Sequence, residues 1–379
     1  MMTGTKADSG NSHSGWTVAL GFAAGLLLLA VAASALPLIE TNAWWVRYLD
    51  FLRVQVSSAL LVLLAAVILL GGLRRPWTLG ALALGGAALG YQAYRLYPYT
   101  ALVAPMAVAA PDCAEDDRLN LLVANVQQSN EKFEALFRMV EEVDPDLFVV
   151  LETDEAWDAA LAEMNQRFPH RTQYIPEGDA SGAFGMHLLS RHPLAATDTL
   201  LYFGNDTPTI LADVALPGNA TVQIVAVHPR PPLYWSQPTT MRDAHLLTAA
   251  LASRDSDMPT IVAGDLNATP WERTVRRAMR IGGLLDPRVG RGIYPTYDVK
   301  SWLMSWPLDQ ILFQDGIALV EWEVLPPFGS DHAPVLAGLC VDPGAAARQS
   351  APTLEAGDFE EAELSIAAAR EMSGSSTTD

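Results

Sequence analysis

Apolar residues fall into three long runs before residue 100 and into short, punctuated runs after it. Thr17 to Ile39 is 23 residues without a charge, long enough to cross a hydrocarbon core of about 30 Å. A second run extends from Val54 to Leu73 and a third from Trp77 to Tyr94. Trp16, Trp44, Trp45, Trp77, Tyr91, Tyr94 and Tyr97 sit near their ends, where interfacial aromatics concentrate. The pattern predicts a polar, disordered stretch over 1–16, three transmembrane helices within 17–99 and a linker over 100–116. The first run has a competing reading as a cleaved signal peptide, because Ala33-Ser34-Ala35 resembles a cleavage site. Against it stand the length of the run and an n-region whose single cation is Lys6. Arg74 and Arg75 lie in the tight turn between the second and third runs, which favours a cytoplasmic turn and places everything after residue 100 outside. Arg47 and Arg53 fall on the disfavoured side.

From residue 117 the periodicity changes. Leu119–Asn125 reads as a strand, followed by a helix over Ser129–Glu142 with Phe133, Leu136, Phe137 and Val140 on one face. Asp146–Glu152 is a second strand, and Asp154–Arg167 a second helix. Strands are expected at Arg171–Ile175, Ala183–Ser190, Thr197–Phe203, Ile210–Leu216 and Ala220–His228. A helix over Gln237–Ser253 precedes the strand Ile261-Val262-Ala263-Gly264, and strands close the region at Leu308–Phe313, Ala318–Leu325 and Pro334–Cys340. Helices in both halves with strand runs between them predict an α+β domain over 117–341, two packed sheets flanked by helices. Residues 342–379 are rich in Ala, Ser, Glu and Pro with few large apolars, which predicts an acidic disordered tail with a short helix near Glu360–Arg370.

Composition narrows the function. Hydrophobic residues make up 50% and charged residues 18%, and the formal net charge is -19. The tail from 341 carries eight acids and two arginines, so -6, and the remainder still carries -13. So acidic a chain is a poor general binder of nucleic acid, which needs positive surface to release counterions; a small basic patch stays open. Cys113 precedes the first strand of the domain and Cys340 ends the last. If those strands are antiparallel neighbours the sulfurs meet as a disulfide, which persists in an oxidising compartment; two unrelated thiols are the alternative.

Residues suited to chemistry recur at strand ends. They are Asn125 in LLVANV, Glu152 in LFVVLET, His228 in IVAVHPRPP, Asp265 and Asn267 in IVAGDLNATP, Asp309 in PLDQILF, and Ser330-Asp331-His332 before APVLAGL. Each alone has a plain explanation: a turn cap, an exposed acid, a satisfied histidine, an arginine's partner, a turn residue. Their repetition at strand ends does not. After IVAGDLN, Thr269 reads as the N-cap and Pro270 as the first position of a helix.

In this order the set resembles the endonuclease/exonuclease/phosphatase superfamily, the DNase I-like fold, from about Leu119 to Leu339. FGMHLLSRHPL, residues 184–194, resembles that family's strand before a Ser-Arg-x-Pro turn, and three spans followed by such a domain resemble a bacterial envelope subgroup. The resemblance implies a four-layered β-sandwich. It makes Asn125 and Glu152 metal-side residues, with Asp331 near the metal or water. Asp265 would orient or deprotonate the attacking water, and Asn267 would hold a phosphate oxygen. His332 would contact the scissile phosphate, kept in tautomer and charge by Asp309, and His228 would contact the phosphate or assist the leaving oxygen. Hard oxygen ligands suit Mg²⁺ or Mn²⁺, and histidines and cysteines are too few for a structural zinc site. The chain departs from the family at Leu266, where an aromatic is frequent, at Gln310, where a histidine or tyrosine is, and at His187, where a small residue is usual.

Two features bear on the substrate. Arg273, Arg276, Arg277 and Arg280 recur at helical spacing after Pro270, a stripe for phosphates or lipid head groups, or a solvated face. The loops PPLYW (231–235) and SWLMSW (301–306) put Trp302 and Trp306 at the rim as substrate contacts, or close a local core. The expected function is a membrane-tethered, divalent-metal-dependent phosphoester hydrolase acting on nucleic acid or on lipid or small phosphoesters. It would be held in a bacterial inner membrane by three spans with its catalytic domain extracytoplasmic, and no obligate protein partner is evident. The alternatives are a non-catalytic binding module on the same fold and a membrane-assembly protein, though the spans lack the acids or bases of a transporter.

Overall fold

The computed structural model describes residues 10–176, 184–204, 206–231 and 238–375, with the side chains of 10–14 and 375 set aside. The start of the stretch expected to be disordered (1–9), Ala183 at the head of an expected strand, most of PPLYW (232–235), Gln237 and the chain's last residues (376–379) lie outside the described residues. The chain divides into two compact units, Met1–Pro98 and Tyr99–Asp379.

The first unit is helical: α1 (Gly10–Ala35), α2 (Trp44–Phe51), α3 (Arg53–Leu69) and α4 (Pro76–Leu96). Helix α1 begins at Gly10, inside the stretch expected to be disordered, because extending an existing helix fixes one residue per hydrogen bond. Leu20, Leu27, Leu60, Val67, Ala81 and Ala88 form the common core of α1, α3 and α4. Three spans were expected; among the described residues one helix is long and apolar enough, Gly15–Leu38, or two if α2 and α3 count as one span bent by 72°. The bend has a cause in the sequence. Arg53 at the start of α3 is buried, pairs with Asp50 at 2.6 Å and donates to Gln92 at 2.9 Å; Gln92 in turn donates to Ser34 at 3.0 Å. Helix α4 has the length but spends it on Gly80, Gly85, Gly86, Gly90 and Gln92, which lower its hydropathy.

The second unit holds two six-stranded sheets. The first sheet contains β1 (Arg118–Asn125), β2 (Leu147–Leu151), β3 (His170–Tyr174), β4 (Met186–Ser190), and later β11 and β12. Helices α5 (Phe133–Val143) and α6 (Glu155–Leu161) fall between its early strands, and a 3-10 turn over Ala162–Gln166 continues α6. The second sheet contains β5 (Leu194–Leu201), β6 (Pro208–Ala215), β7 (Thr221–Val227), β8 (Thr260–Asp265), β9 (Leu284–Leu285) and β10 (Asp309–Gln314). Helices α7 (Thr240–Asp255) and α8 (Arg273–Gly282) flank β8 in sequence. Then β11 (Ile317–Val324) and β12 (Val335–Val341) return to the first sheet. The orders are β11-β12-β1-β2-β4-β3 and β5-β6-β7-β8-β10-β9.

Alternation along the central strands builds the layers. Leu119, Leu121, Val123, Val149 and Leu339 from one sheet meet Ile224, Ala226, Ile261, Ala263 and Ile311 from the other in the middle core. The intervening residues face outward: Leu122, Phe148 and Val150 pack on α5 and α6 through Leu136, Val140 and Trp157. Val225, Val227 and Val262 pack on α7 and α8 through Leu246, Val275 and Met279. Each fully buried Leu, Ile or Val contributes about 1.5–3 kcal/mol, so register is tightly specified: slipping one residue would exchange two covered faces. This is the four-layered arrangement expected.

The tail differs from expectation. Residues 358–375 form α9 (Asp358–Ser375), laid on α7 and α8 through Ala362, Ile366 and Ala369. Its first residue, Asp358, accepts from Arg280 at 2.6 Å and from Arg277 at 3.3 Å. Small alanines at helical spacing bury a stripe that looks weakly apolar in sequence. Cys113 and Cys340 are bonded, with Cα atoms 5.8 Å apart; β1 and β12 are the antiparallel neighbours this required.

Candidate active site

Strand direction assembles the site. β1 and β2 run parallel, as do β7 and β8, so Asn125, Glu152, His228 and Asp265 leave the same end of the two sheets. β10 and β12 run antiparallel to β8 and β1, so Asp309 at the start of β10, and Asp331 and His332 just before β12, arrive at that end. Asp309 lies directly opposite Asp265 in the ladder.

Asp265 is the centre. Its Oδ1 accepts the Asn267 backbone N–H at 2.9 Å. Its Oδ2 faces Asn125 Nδ2 at 3.3 Å, His228 Nε2 at 3.6 Å and His332 Nε2 at 3.7 Å. Burial and the neighbouring Asp309 raise its pKa, against the opposing pull of the two histidines and the Asn267 amide. The glycine before it is dictated by space: at Gly264, with φ of 147°, a Cβ would lie 1.8 Å from the Val227 carbonyl oxygen.

His332 and Asp309 form a buried pair, Nδ1 to Oδ2 at 2.8 Å. Burial alone would lower the His332 pKa, but Asp309 and Asp265 outweigh it and push it up to about 10, so the ring is an imidazolium at neutral pH. Asp309 Oδ1 is buried without a hydrogen-bond partner among the described residues. His228 is the opposite case. Burial lowers its pKa, leaving a neutral ring whose Nε2 stands 3.9 Å from Glu152 Oε1.

On the other flank Asn125 Nδ2 donates to Glu152 Oε1 at 2.8 Å, and Asn125 Oδ1 accepts the Gln127 backbone N–H at 3.0 Å. Glu152 has φ of 60°, left-handed and rarely adopted by a residue with a side chain. Its pKa is raised by burial, opposed chiefly by the Asn125 hydrogen bond. Asp331 accepts from Gln127 Nε2 at 3.2 Å and acts on Glu152 by like-charge repulsion.

Not every residue singled out lands here as expected. Trp302 is 94% exposed, whereas Trp306 is 5% exposed and stacks on Tyr297; Trp306 closes a local core and offers no open face. Arg277, like Arg280, is engaged by Asp358, so the basic stripe is partly neutralised by the tail helix; Arg273 and Arg276 are half-buried on the same helix. Thr269 is not the N-cap. Helix α8 starts three residues later, after Glu272, whose carboxylate accepts the Thr269 backbone N–H at 3.1 Å. Asn267, at φ of 48°, commits one amide N–H to the Pro229 carbonyl at 2.9 Å.

Sequence reasoning missed two supports, Arg242 and Tyr297, and named a third, Ser330, without its role. Arg242 is buried, donates to the Asn267 carbonyl at 2.9 Å, and pairs with Asp243 and Glu272, each at 2.7 Å. Ser330 links the Asn125 carbonyl (2.8 Å) to the His332 backbone N–H (3.0 Å). The Tyr297 ring lies 4.6 Å from the His332 ring. Of the two missed, only Arg242 carried a signal, an arginine on the inward face of a helix.

Two clusters, Glu152–His228–Asp265 and Asp265–Asp309–His332, bring ligand atoms within 4.8 Å of one another. The second is already neutralised by its imidazolium. The first holds one buried and one partly buried carboxylate, both with raised pKa values, and a neutral histidine, a donor set that fits a hard divalent cation.

The sequence model of the Endonuclease/Exonuclease/phosphatase family matches residues 120–332, more than half of the chain. The chain belongs to this family. A structure of D. rerio TDP2 complexed with single strand DNA product is similar, with a TM-score of 0.50, 15% identity, and coverage of 59% of this chain and 98% of that one. An endonuclease/exonuclease/phosphatase from Beutenbergia cavernae DSM 12333 gives a TM-score of 0.48 and 18% identity over 60% of this chain and 72% of its own. Sphingomyelinase C from Streptomyces griseocarneus gives 0.44 and 15% over 58% and 99%. The likeness to TDP2 shows the fold. Comparison with curated proteins gives no match. Membership of the endonuclease/exonuclease/phosphatase family supports phosphoester hydrolysis in general.

Proposed function

We propose that the chain is a membrane-tethered, divalent-metal-dependent phosphoester hydrolase whose domain faces an oxidising, extracytoplasmic space. The observation that carries this reading is the shared oxygen Asp265 Oδ2, within 3.3–3.7 Å of an amide, a neutral histidine and an imidazolium. Such an oxygen accepts a proton from water while the groups around it bind a phosphate.

The chain's own residues divide the work. Asp265 orients the attacking water and takes its proton as the P–O bond forms. His332, held charged by Asp309, donates to a phosphate oxygen on which charge develops, and its preorganisation removes a reorganisation cost. His228, neutral, is placed to hydrogen-bond the oxygen that departs as its bond to phosphorus breaks, and that oxygen takes its proton from solvent. Asn125 holds the carboxylates of Glu152 and Asp265 a fixed distance apart, and one Asn267 N–H remains for a phosphate oxygen. Glu152 and Asp265, with Asn125 and Asp331 close by, would hold a Mg²⁺ or Mn²⁺ ion, which would supply charge neutralisation at the phosphate.

Membrane attachment is supported by the apolar helix Gly15–Leu38 and by exposed Phe22, Leu29, Leu61, Val62 and Leu69 around the helical unit. The Cys113–Cys340 disulfide and the Arg74-Arg75 turn support the outward orientation in a bacterial inner membrane. Two observations favour a lipid or small phosphoester over long nucleic acid: the acidic balance of the chain and the engagement of Arg277 and Arg280 by Asp358. Exposed Trp302, in the loop closed by the Tyr297–Trp306 bridge beside His332, would meet the substrate's apolar part.

The test is the purified chain in detergent against plasmid DNA, RNA, phospholipids, sphingomyelin and a chromogenic bis-phosphodiester, with Mg²⁺, Mn²⁺ or chelator. Metal-dependent turnover of one class, lost in Asp265→Asn with the fold retained, is expected. Turnover that persists in chelator, or in that variant, sinks the reading.

A further inference from the structure

His187 takes part in no step of the proposed chemistry, yet it is fully buried as the second residue of β4, in a strand otherwise apolar until Ser190. Both ring nitrogens are engaged. Nε2 lies 3.0 Å from Asp158 Oδ1 and Nδ1 lies 3.0 Å from Thr153 Oγ1. A carboxylate only accepts, so Nε2 carries the proton. Burial lowers the His187 pKa despite Asp158, so the ring is neutral and its bare Nδ1 accepts the Thr153 hydroxyl. Asp158 is itself held by Arg171 at 2.5 Å. The chain of bonds therefore runs Arg171, Asp158, His187, Thr153, with every donor and acceptor assigned.

Thr153 follows Glu152, the residue with φ of 60°. A residue in that region persists only where its surroundings over-determine it, and the surroundings converge on Thr153. Its side chain is fully buried and its N–H donates to the Gly185 carbonyl at 3.1 Å. Gly185 approaches so closely that a Cβ there would lie 1.7 Å from the Thr153 carbonyl oxygen. On the other side Val126 N–H donates to the Leu151 carbonyl at 2.9 Å. Backbone contacts thus fix the peptide on both sides of Glu152, and the His187 ring fixes the rotamer of the next side chain. An apolar residue at 187 would fill the same space and hold nothing.

We infer that His187 is a positioning residue, which through Thr153 holds Glu152 in the left-handed conformation that aims its carboxylate at Asn125 and the cation-binding face. The inference rests on the reading of Glu152 as a metal-side residue. Its specific content is that removing one hydroxyl, remote from the reacting atoms, weakens cation binding without unfolding the chain.

The experiment measures Mn²⁺ binding to the full chain in detergent from the EPR signal of free Mn²⁺, beside the metal-free melting temperature. Thr153→Val removes the hydroxyl and keeps the shape; His187→Leu removes the ring; His187→Asn returns an acceptor for Thr153. Loss of a group that orients a ligand typically weakens metal affinity about 10–100-fold, and that range is expected for Thr153→Val at an unchanged melting temperature. The double variant Thr153→Val/His187→Leu should bind no more weakly than the weaker single, and His187→Asn should recover part of the affinity. If His187→Leu fails to fold, Thr153→Val carries the test alone. A wild type that binds Mn²⁺, with Thr153→Val binding equally well, overturns the positioning role alone. A wild type that binds no Mn²⁺ overturns the metal reading and this inference with it.

Discussion

The two flanks of the site are built on different terms. On the histidine flank, His332 and Asp309 neutralise each other within 2.8 Å and are sealed, with side-chain exposures of 6% and 1%. On the Glu152 flank, Glu152 is 22% exposed, has a left-handed backbone at φ of 60° and meets an amide rather than a cation. The first flank is complete as it stands, its charge already balanced. The second holds a partly exposed carboxylate that meets hydrogen-bond donors but no adjacent ion-pair partner among the described residues. A buried charge without its partner is costly, so the first flank fixes its geometry during folding, while the second is finished by whatever binds. Asp265 belongs to both.

Five changes test this division and its frame, in falling order of expected effect. Asp265→Asn and His332→Ala should each cut kcat for phosphoester hydrolysis by about 10²–10⁴-fold, with far-UV circular dichroism unchanged; a loss in one alone would mean that the shared oxygen is not the centre. Glu152→Gln should act through the cation: about tenfold or more extra Mn²⁺ for half-maximal rate, with kcat largely recovered at saturation. If the loss persists at saturating Mn²⁺, Glu152 belongs to the chemistry and the division between flanks fails. Asp309→Asn should act through pH. The His332 imidazolium, raised to about 10 from an unfolded value of about 6.5, contributes stability that is complete below pH 6.5 and is lost as pH rises through 10. Without Asp309 the alkaline limb of the rate profile should move down, so that activity at pH 9 falls more than activity at pH 6. An unmoved limb would assign the charge to another group. Last, replacing Cys113 and Cys340 by serine should cost about 2–5 kcal/mol of stability, read by denaturant melts, with kcat untouched.

The sequence displayed the site better than its supports. A polar residue that ends an apolar strand is visible in one dimension, and Asn125, Glu152, His228, Asp265, Asp309 and His332 all had that signature. What each touches was not visible. Trp302 and Trp306 are the same residue in the same loop, yet one is exposed and the other buried, because the Tyr297 bridge depends on pairing, not on local pattern. Arg277 and Arg280 read as a free stripe because their partner, Asp358, lies 81 and 78 positions away. Helix α9 was underestimated because alanines bury little area each. The three-span reading is supported for one helix only, for a related reason: run length was legible, while the buried Arg53–Gln92 hydrogen bond beside the bend between α2 and α3 is a tertiary contact.

The disulfide has a mechanical meaning. It joins positions 227 apart, so the strands from β1 to β12 lie within one covalent ring, and the chain enters and leaves that ring at the same clasp. Tension arriving from the amino-terminal side reaches Cys113 and crosses directly to Cys340 on β12, an interior strand held between β11 and β1. Peeling β1 away from its end, the easiest way to open a sheet under load, is thereby short-circuited. A pull on the chain ahead of Cys113 is thereby carried past Asn125 and Glu152.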